Sequence, residues 1–345
     1  MKQEIKTFMI KKETSDIIKG FAILLMFVHH FITFPSFIIE DYRSKYEMFS
    51  VLNSPTKLCV CVFAFISGWA FCISKKKKLT DIIIRLIKFL VVYWLAAIPI
   101  ILFAVVFCGF SPSLPMLVFE FFGVTHNVMI FCWYVFFYII SMLLMFCIYR
   151  LLNKNIWLAA VLGVIVPIVA FMGLMAVNPI EEIDDILNNL KHWFPCISVG
   201  YICCQYNLFA YPDKLLDRVP DVLLLAVGIA VCGIGRYYVS SLDFLYCSIL
   251  VFCLSRFVQN GKDHKFNLAV SGGFRALGKA STNMWFWHCL LFSSATRFIV
   301  QSSLSFLIQF PLLFLLAGTI CLFLVSILWN LLDKKILALL RLTGH

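Results

Sequence analysis

Charge is scarce in this sequence. Asp, Glu, Lys and Arg make up 14% of its 345 residues, against about 25% in soluble domains. The apolar share is 62% and the mean hydropathy +0.94, more than one buried core can absorb when soluble chains run at roughly 45–50% apolar. Nothing in the sequence resembles a Gly-rich dinucleotide turn, a Walker loop or a metal cluster. Internal repeats, low-complexity tracts and an appended soluble module are likewise missing, so the work of the protein is expected to fall to its apolar segments and short loops. No small-residue cleavage site follows the first apolar run, and that run is expected to be retained as a helix.

What is present is a succession of apolar stretches of about 20 residues, each long enough to cross roughly 30 Å of hydrocarbon. The expected spans are Ile18 to Phe37, Leu58 to Ile73, Ile82 to Cys108, Val128 to Tyr149, Ile156 to Val177, Trp193 to Phe209, Val222 to Val239, Phe244 to Val258, Thr282 to Val300 and Phe306 to Leu332. The fold class that follows is an all-α integral membrane protein, a polytopic bundle of about ten transmembrane helices. Alternate loops gather the basic residues: Lys2, Lys6, Lys11, Lys12 and Lys19; Lys75 to Lys78 with Arg85 and Lys88; Arg150 and Lys154; Lys214 and Arg218; the stretch from Arg256 to Lys279; and Lys334, Lys335 and Arg341. By the positive-inside rule these are cytoplasmic, and so are both termini. Acidic residues collect in the opposite loops, notably Glu40, Asp41 and Glu47, and the segment Glu181, Glu182, Asp184 and Asp185. A net charge of +11 could suggest nucleic acid, but the basic residues are scattered between spans without a polar face, and no nucleic-acid partner is expected. The 14 cysteines fall almost entirely inside spans, where Cys packs as a small apolar residue rather than in a disulfide framework.

Polar side chains inside apolar spans persist only if they are paired, hydrated or used. His29 and His30 lie about 16 Å into the first span at ~1.5 Å per residue. Adjacent helix positions differ by about 100°, so at most one of the two rings faces a given cavity. Arg85 and Lys88 share one face about a turn inside the third span. They either snorkel to lipid phosphates or receive an anionic substrate from the cytoplasm. His288, among Trp285, Phe286 and Trp287, is either a satisfied structural histidine or a substrate-lining one. Ser67 and Gly68 are compatible with small-residue helix packing. Arg236 and Arg297 near the outer face either clamp an anionic acceptor or snorkel.

These residues carry a resemblance to the membrane acyltransferase 3 family, whose members acylate sugars and cell-surface polysaccharides. Asp16-Ile17-Ile18-Lys19-Gly20-Phe21-Ala22-Ile23-Leu24-Leu25, with His30 eleven residues after Lys19, is similar to the family's D-x-x-[RK]-G-x-A-I-L-L run and its essential His. Phe63-Ala64-Phe65-Ile66-Ser67-Gly68 resembles F-x-F-x-S-G, and Arg85-Leu86-Ile87-Lys88 followed by Tyr93-Trp94 resembles R-x-x-R ending in Y-W. Trp133-Tyr134-Val135, Gly200-Tyr201 and Leu277-Gly278-Lys279-Ala280-Ser281-Thr282-Asn283-Met284-Trp285-Phe286-Trp287-His288 extend the resemblance in the expected order over almost the whole chain. There are departures. Lys88 replaces an arginine and keeps only a point charge for phosphate; Phe136, Phe137 and Tyr138 stand where some relatives carry an acid; and no SGNH-type domain follows the last helix, so no two-domain relay is expected within the chain.

The resemblance implies one transmembrane acyltransferase domain over residues 1–345, with a cytoplasmic segment at 1–17 and a cytoplasmic tail at 333–345. It implies a multi-pass protein of a prokaryotic plasma membrane that moves an acyl group, acetyl by expectation, from acyl-CoA to a saccharide or glycolipid hydroxyl, without a metal. His30 is then the catalytic base or nucleophile, Asp16 positions Lys19, and Ser67 is a hydrogen-bond donor at the point of transfer. Lys19, Arg85 and Lys88 bind the CoA phosphates, and Tyr93, Trp133, Tyr134, Trp285 and His288 line the substrate path. The competing classes are a transporter or flippase for a lipid-linked sugar, which would show paired broken helices in two symmetric halves, and a non-catalytic partner in polysaccharide assembly.

Overall fold

The structure, a computed structural model, describes residues 7–125, 127–178, 181–261 and 265–342. Lys2 and Lys6 of the basic N-terminal group and residues 343–345 of the expected tail lie outside the described residues. The described chain is helical, with no strand among the described residues. The helices that matter here are α1 Lys12–Phe31, α2 Leu58–Ile73, α3 Leu79–Cys108, the short α4 Leu114–Phe121 and α5 Trp133–Leu152. They continue with α6 Ile156–Val177, α7 Glu181–Gln205, α8 Asp221–Tyr238, α9 Asp243–Asn260, α10 Lys265–Trp287, the short helices α11 Cys289–Phe292 and α12 Arg297–Ser303, and α13 Pro311–Leu339. Eight helices among the described residues are long and apolar enough to cross a membrane. The protein is therefore an all-α polytopic membrane protein.

Where the helices depart from the expected spans, polar chemistry is the reason. The first span stops at Phe31 instead of Phe37, because Thr33 Oγ1 donates to the His29 carbonyl at 2.9 Å and Pro35 then starts a 3-10 turn. The fourth begins at Trp133 instead of Val128, after an ordered loop. The acidic segment from Glu181, expected in a loop, forms the first turns of α7, where the Asp184 carboxylate accepts the Asn178 side-chain amide at 2.9 Å. The expected tail from residue 333 is a continuation of α13 through Leu339. The ninth span, expected unbroken from Thr282 to Val300, ends as α10 at Trp287 and resumes as α11 and α12. Its Ser293 and Thr296 hydroxyls donate to carbonyls outside the helical register, Ser293 to Asn127 at 3.0 Å and Thr296 to Leu290 at 2.6 Å.

The chain divides into two compact units, Met1–Leu25, Ser54–Lys75 and Leu143–Lys279 in one, and Met26–Asn53, Lys76–Met142 and Ala280–His345 in the other. In the first unit, helix pairs meet backbone to backbone. A Cβ on Gly20 of α1 would run into the Phe274 carbonyl of α10, and one on Gly278 of α10 into the Asp16 carbonyl of α1. Gly68 of α2 and Gly200 of α7 stand in the same reciprocal relation to the Ile197 and Phe65 carbonyls. In lipid no hydrophobic force drives one helix against another, and small residues supply association by letting backbones approach. Four glycines of the sequence motifs are thus packing residues. Arg236, near the end of α8, neither snorkels nor clamps an acceptor. It is 4% exposed and bound to Asp243 at 2.7 and 3.2 Å, with a further bond to the Ser54 carbonyl.

The second unit is held by an aromatic core around the end of α1. Phe31 packs against Phe292 at 4.9 Å and Phe314 at 5.0 Å, and its ring covers Gly318 of α13. Arg297 donates to the Ser36 carbonyl at 2.8 Å.

Glycine packing in the first unit makes a differential prediction on one helix. Gly278→Ala should lower the stability of the detergent-solubilised protein by about 1–3 kcal/mol, the usual cost of overpacking. Gly273→Ala, which meets nothing within 4 Å, should stay within about 1 kcal/mol of the parent or gain helix propensity. Equal melting temperatures for the two variants would contradict the close approach.

Candidate active site

Both histidines at the end of α1 belong to the second unit, and their environments differ as adjacent helix positions require. His29 is 6% exposed, its ring edge-on to Phe34 at 5.8 Å. His30 is half-buried, and its Nδ1 lies 2.9 Å from His288 Nε2. His288 caps the end of α10, fully buried, with its Nδ1 bonded to the carbonyl of Trp285. The planes of the two imidazoles are nearly parallel, 8° apart, with centroids 5.0 Å apart. Phe131 lies flat over both, 3.8 Å from His30 and 4.6 Å from His288, at 12° to each.

Phe131 is held there by a loop that one carboxylate organises. Glu120, 2% exposed in α4, accepts the backbone N–H groups of Asn127, Val128 and Met129 at 3.0, 2.9 and 2.6 Å and the Thr125 hydroxyl at 3.2 Å. Gly123, at φ 69°, makes the left-handed turn that ends α4 and lets the chain fold back over that carboxylate. Beneath it, Tyr93 donates its hydroxyl to the Glu120 carbonyl at 2.7 Å, and Trp94 donates its indole N–H to the Phe121 carbonyl at 2.8 Å. The buried Cys132 and Cys289 thiols, 3.8 Å apart, pack the residue after Phe131 against the residue after His288. Gln301, fully buried in α12, donates to the Phe37 and Leu291 carbonyls at 2.8 Å each and accepts the Ile39 N–H at 2.9 Å.

Of the residues singled out in the sequence, the second unit pairs His30 with His288, and Tyr134 with Trp285, edge to face at 5.4 Å. Trp133 meets Tyr134 edge to face at 5.8 Å. Tyr93, expected to line the substrate path, is completely buried, with its hydroxyl bonded to the loop at the Glu120 carbonyl. Arg85 and Lys88 stand one turn apart on α3, both half-buried. Asp16, Lys19 and Ser67 belong to the first unit. There Lys19 pairs with Asp16 at 2.7 Å. The Ser67 hydroxyl donates to the Phe63 carbonyl of its own helix at 2.9 Å, which occupies the proton expected to serve a substrate.

Glu120 and Phe131 escaped the sequence reading. An isolated glutamate in the apolar run Leu114–Phe122 was the available signal for the first, since a carboxylate in such company needs a partner. Phe131 carried no signal, being one of 36 phenylalanines.

A family model described as an acyltransferase domain matches residues 13–330. No curated protein and no solved structure matches the chain.

Removing the Glu120 side chain leaves three buried N–H groups without their acceptor, each worth about 1–3 kcal/mol. Glu120→Ala should therefore melt well below the parent and expose residues 127–131 to rapid amide exchange, with Glu120→Gln intermediate. Unchanged exchange across that segment would remove Glu120 from its organising role.

Proposed function

Because the chain belongs to the acyltransferase 3 family of membrane proteins, we propose that it transfers an acyl group, acetyl by expectation, from acyl-CoA to a hydroxyl of a cell-surface or lipid-linked saccharide. The observation that carries this reading is His30, a half-buried residue at the end of an apolar helix whose imidazole is hydrogen-bonded to a second imidazole and oriented by the Phe131 ring. An imidazole so placed can take the proton of an acceptor hydroxyl as its oxygen attacks the thioester carbonyl. The C–S bond then breaks, the ester forms, and the proton passes from the imidazolium to the departing CoA sulfur. Tyr134 and Trp285, edge to face with each other, are the aromatic surface we assign to a sugar ring or the pantetheine arm.

CoA carries phosphate charges that do not enter hydrocarbon. Arg85 and Lys88, one turn apart at the lysine-rich end of α3, are the groups we assign to those phosphates, Arg85 by its planar fork and Lys88 as a point charge. The family resemblance gives Lys19 the same electrostatic duty, with Asp16 orienting it. Ser67, its proton already donated to Phe63, is assigned no donor role. A multi-pass location in a prokaryotic plasma membrane, with both termini on the cytoplasmic side, fits the alternation of basic loops.

The decisive test is His30→Ala in purified protein supplied with acetyl-CoA and candidate glycans. Release of CoA thiol that depends on the glycan should fall by at least about 10²-fold, with an unchanged melting curve. A variant that still acylates ends the mechanism. A parent protein that releases no thiol with any glycan, yet moves a lipid-linked sugar across vesicles, would favour the transporter class.

A further inference from the structure

The pair of imidazoles assigns its own protons. The Trp285 carbonyl can only accept a hydrogen bond, so the His288 Nδ1 bonded to it carries hydrogen. A neutral imidazole has one N–H, which makes His288 Nε2 an acceptor. The atom 2.9 Å away is His30 Nδ1. Two bare lone pairs at that distance repel, and a bond forms only if His30 Nδ1 holds the proton. Neutral His30 then carries its lone pair on Nε2.

We propose that His288 is a positioning residue: it holds His30 in the tautomer protonated at Nδ1, and so makes Nε2 the atom that receives the acceptor's proton. This rests on the acyl-transfer reading for its consequence, though not for its geometry. An N–H···N bond between imidazoles is best made edge to edge, and parallel rings 8° apart whose centroids are 5.0 Å and whose facing nitrogens are 2.9 Å apart approach in that way. Phe131, parallel to both, opposes rotation of either ring out of that alignment. As Nε2 takes a proton, the Nδ1–H of His30 becomes part of a cation, and its bond to His288 becomes charge-assisted and stronger. The positive charge is then shared along a relay of two hydrogen bonds ending on the Trp285 carbonyl, in the place where many catalytic histidines have a carboxylate.

Neither the sequence motif nor the distance alone distinguishes this role from a lining residue. A ring that lines a substrate path presents an atom to the substrate. Both nitrogens of His288 are occupied inside the protein, and the side chain is fully buried.

The test reads tautomers directly. Protein carrying 15N-labelled histidine in lipid nanodiscs is examined at neutral pH by long-range proton–nitrogen correlation, with the seven histidines assigned by single substitution. The expected spectrum shows His30 protonated at Nδ1 and bare at Nε2. In His288→Ala that pattern should be lost; in His288→Gln, whose amide oxygen can stand where Nε2 stood, it should return. In parallel, kcat for acyl transfer should fall about 10²-fold in the alanine variant, while KM for acyl-CoA stays within about twofold. The glutamine variant should recover at least about tenfold of that loss.

An Nε2-protonated His30 in the parent protein overturns the proposal, and so does an Nδ1-protonated ring indifferent to both substitutions. A rise in KM without a fall in kcat returns His288 to the lining role. The parent spectrum needs no variant and stands even if His288→Ala does not fold. Should the parent show the expected tautomer and no acyl transfer to any acceptor, the function fails and the hydrogen-bonded pair remains.

Discussion

Hydrocarbon offers no water to complete a hydrogen bond, and every polar group this chain carries into its apolar segments has to be answered from within the protein. The rest of the structure follows from how those answers are arranged. Backbone groups are answered by helices wherever the sequence allows. Where it does not, a single side chain repeatedly takes over several orphaned groups at once. Glu120 does so for the loop before Trp133, and Gln301 for the segments after α1 and α11. Arg236 does so with Asp243 and Ser54. Each is a buried polar residue whose capacity is matched by groups that would otherwise be stranded.

Such answers leave regular helix for packing and irregular backbone for chemistry. In the first unit, glycines let helices touch along their backbones, and the groups that looked reactive in the sequence turn inward: Lys19 to Asp16, and the Ser67 hydroxyl to its own helix. In the second unit, three breaks, after Phe31, before Trp133 and after Trp287, bring His30, Phe131 and His288 into one stack. A histidine at the end of a helix has room to turn its ring toward a neighbour. The same histidine in mid-helix would be confined by the turn before it.

Apolar length made the fold class legible in the sequence, and Leu58–Ile73 and Ile156–Val177 have the boundaries that length alone suggests. The histidines were legible because imidazole is costly in such surroundings, and Arg85 with Lys88 because spacing puts them on one face. The breaks were hidden. A hydropathy window averages over Ser293 and Thr296 as though their hydroxyls were silent, whereas their hydrogen bonds to carbonyls decide where the helix stops. Tyr93 and Ser67 were recognised by residue type, while the backbone carbonyls that their hydroxyls bond carry no mark in the sequence. Glu120 was hidden for another reason: its partners are backbone groups, which every residue has and no sequence advertises.

Gln301 reaches the chain just beyond each histidine, at Phe37 on one side and Leu291 on the other, with one planar amide. The two carbonyls it grips are thereby fixed to a common nitrogen, at a separation dictated by the bond angles of an amide rather than by the compliance of packed helices. Thermal breathing of the surrounding bundle can carry both imidazole-bearing ends along together while changing their mutual spacing little, much as two wheels keep their gauge on a shared axle.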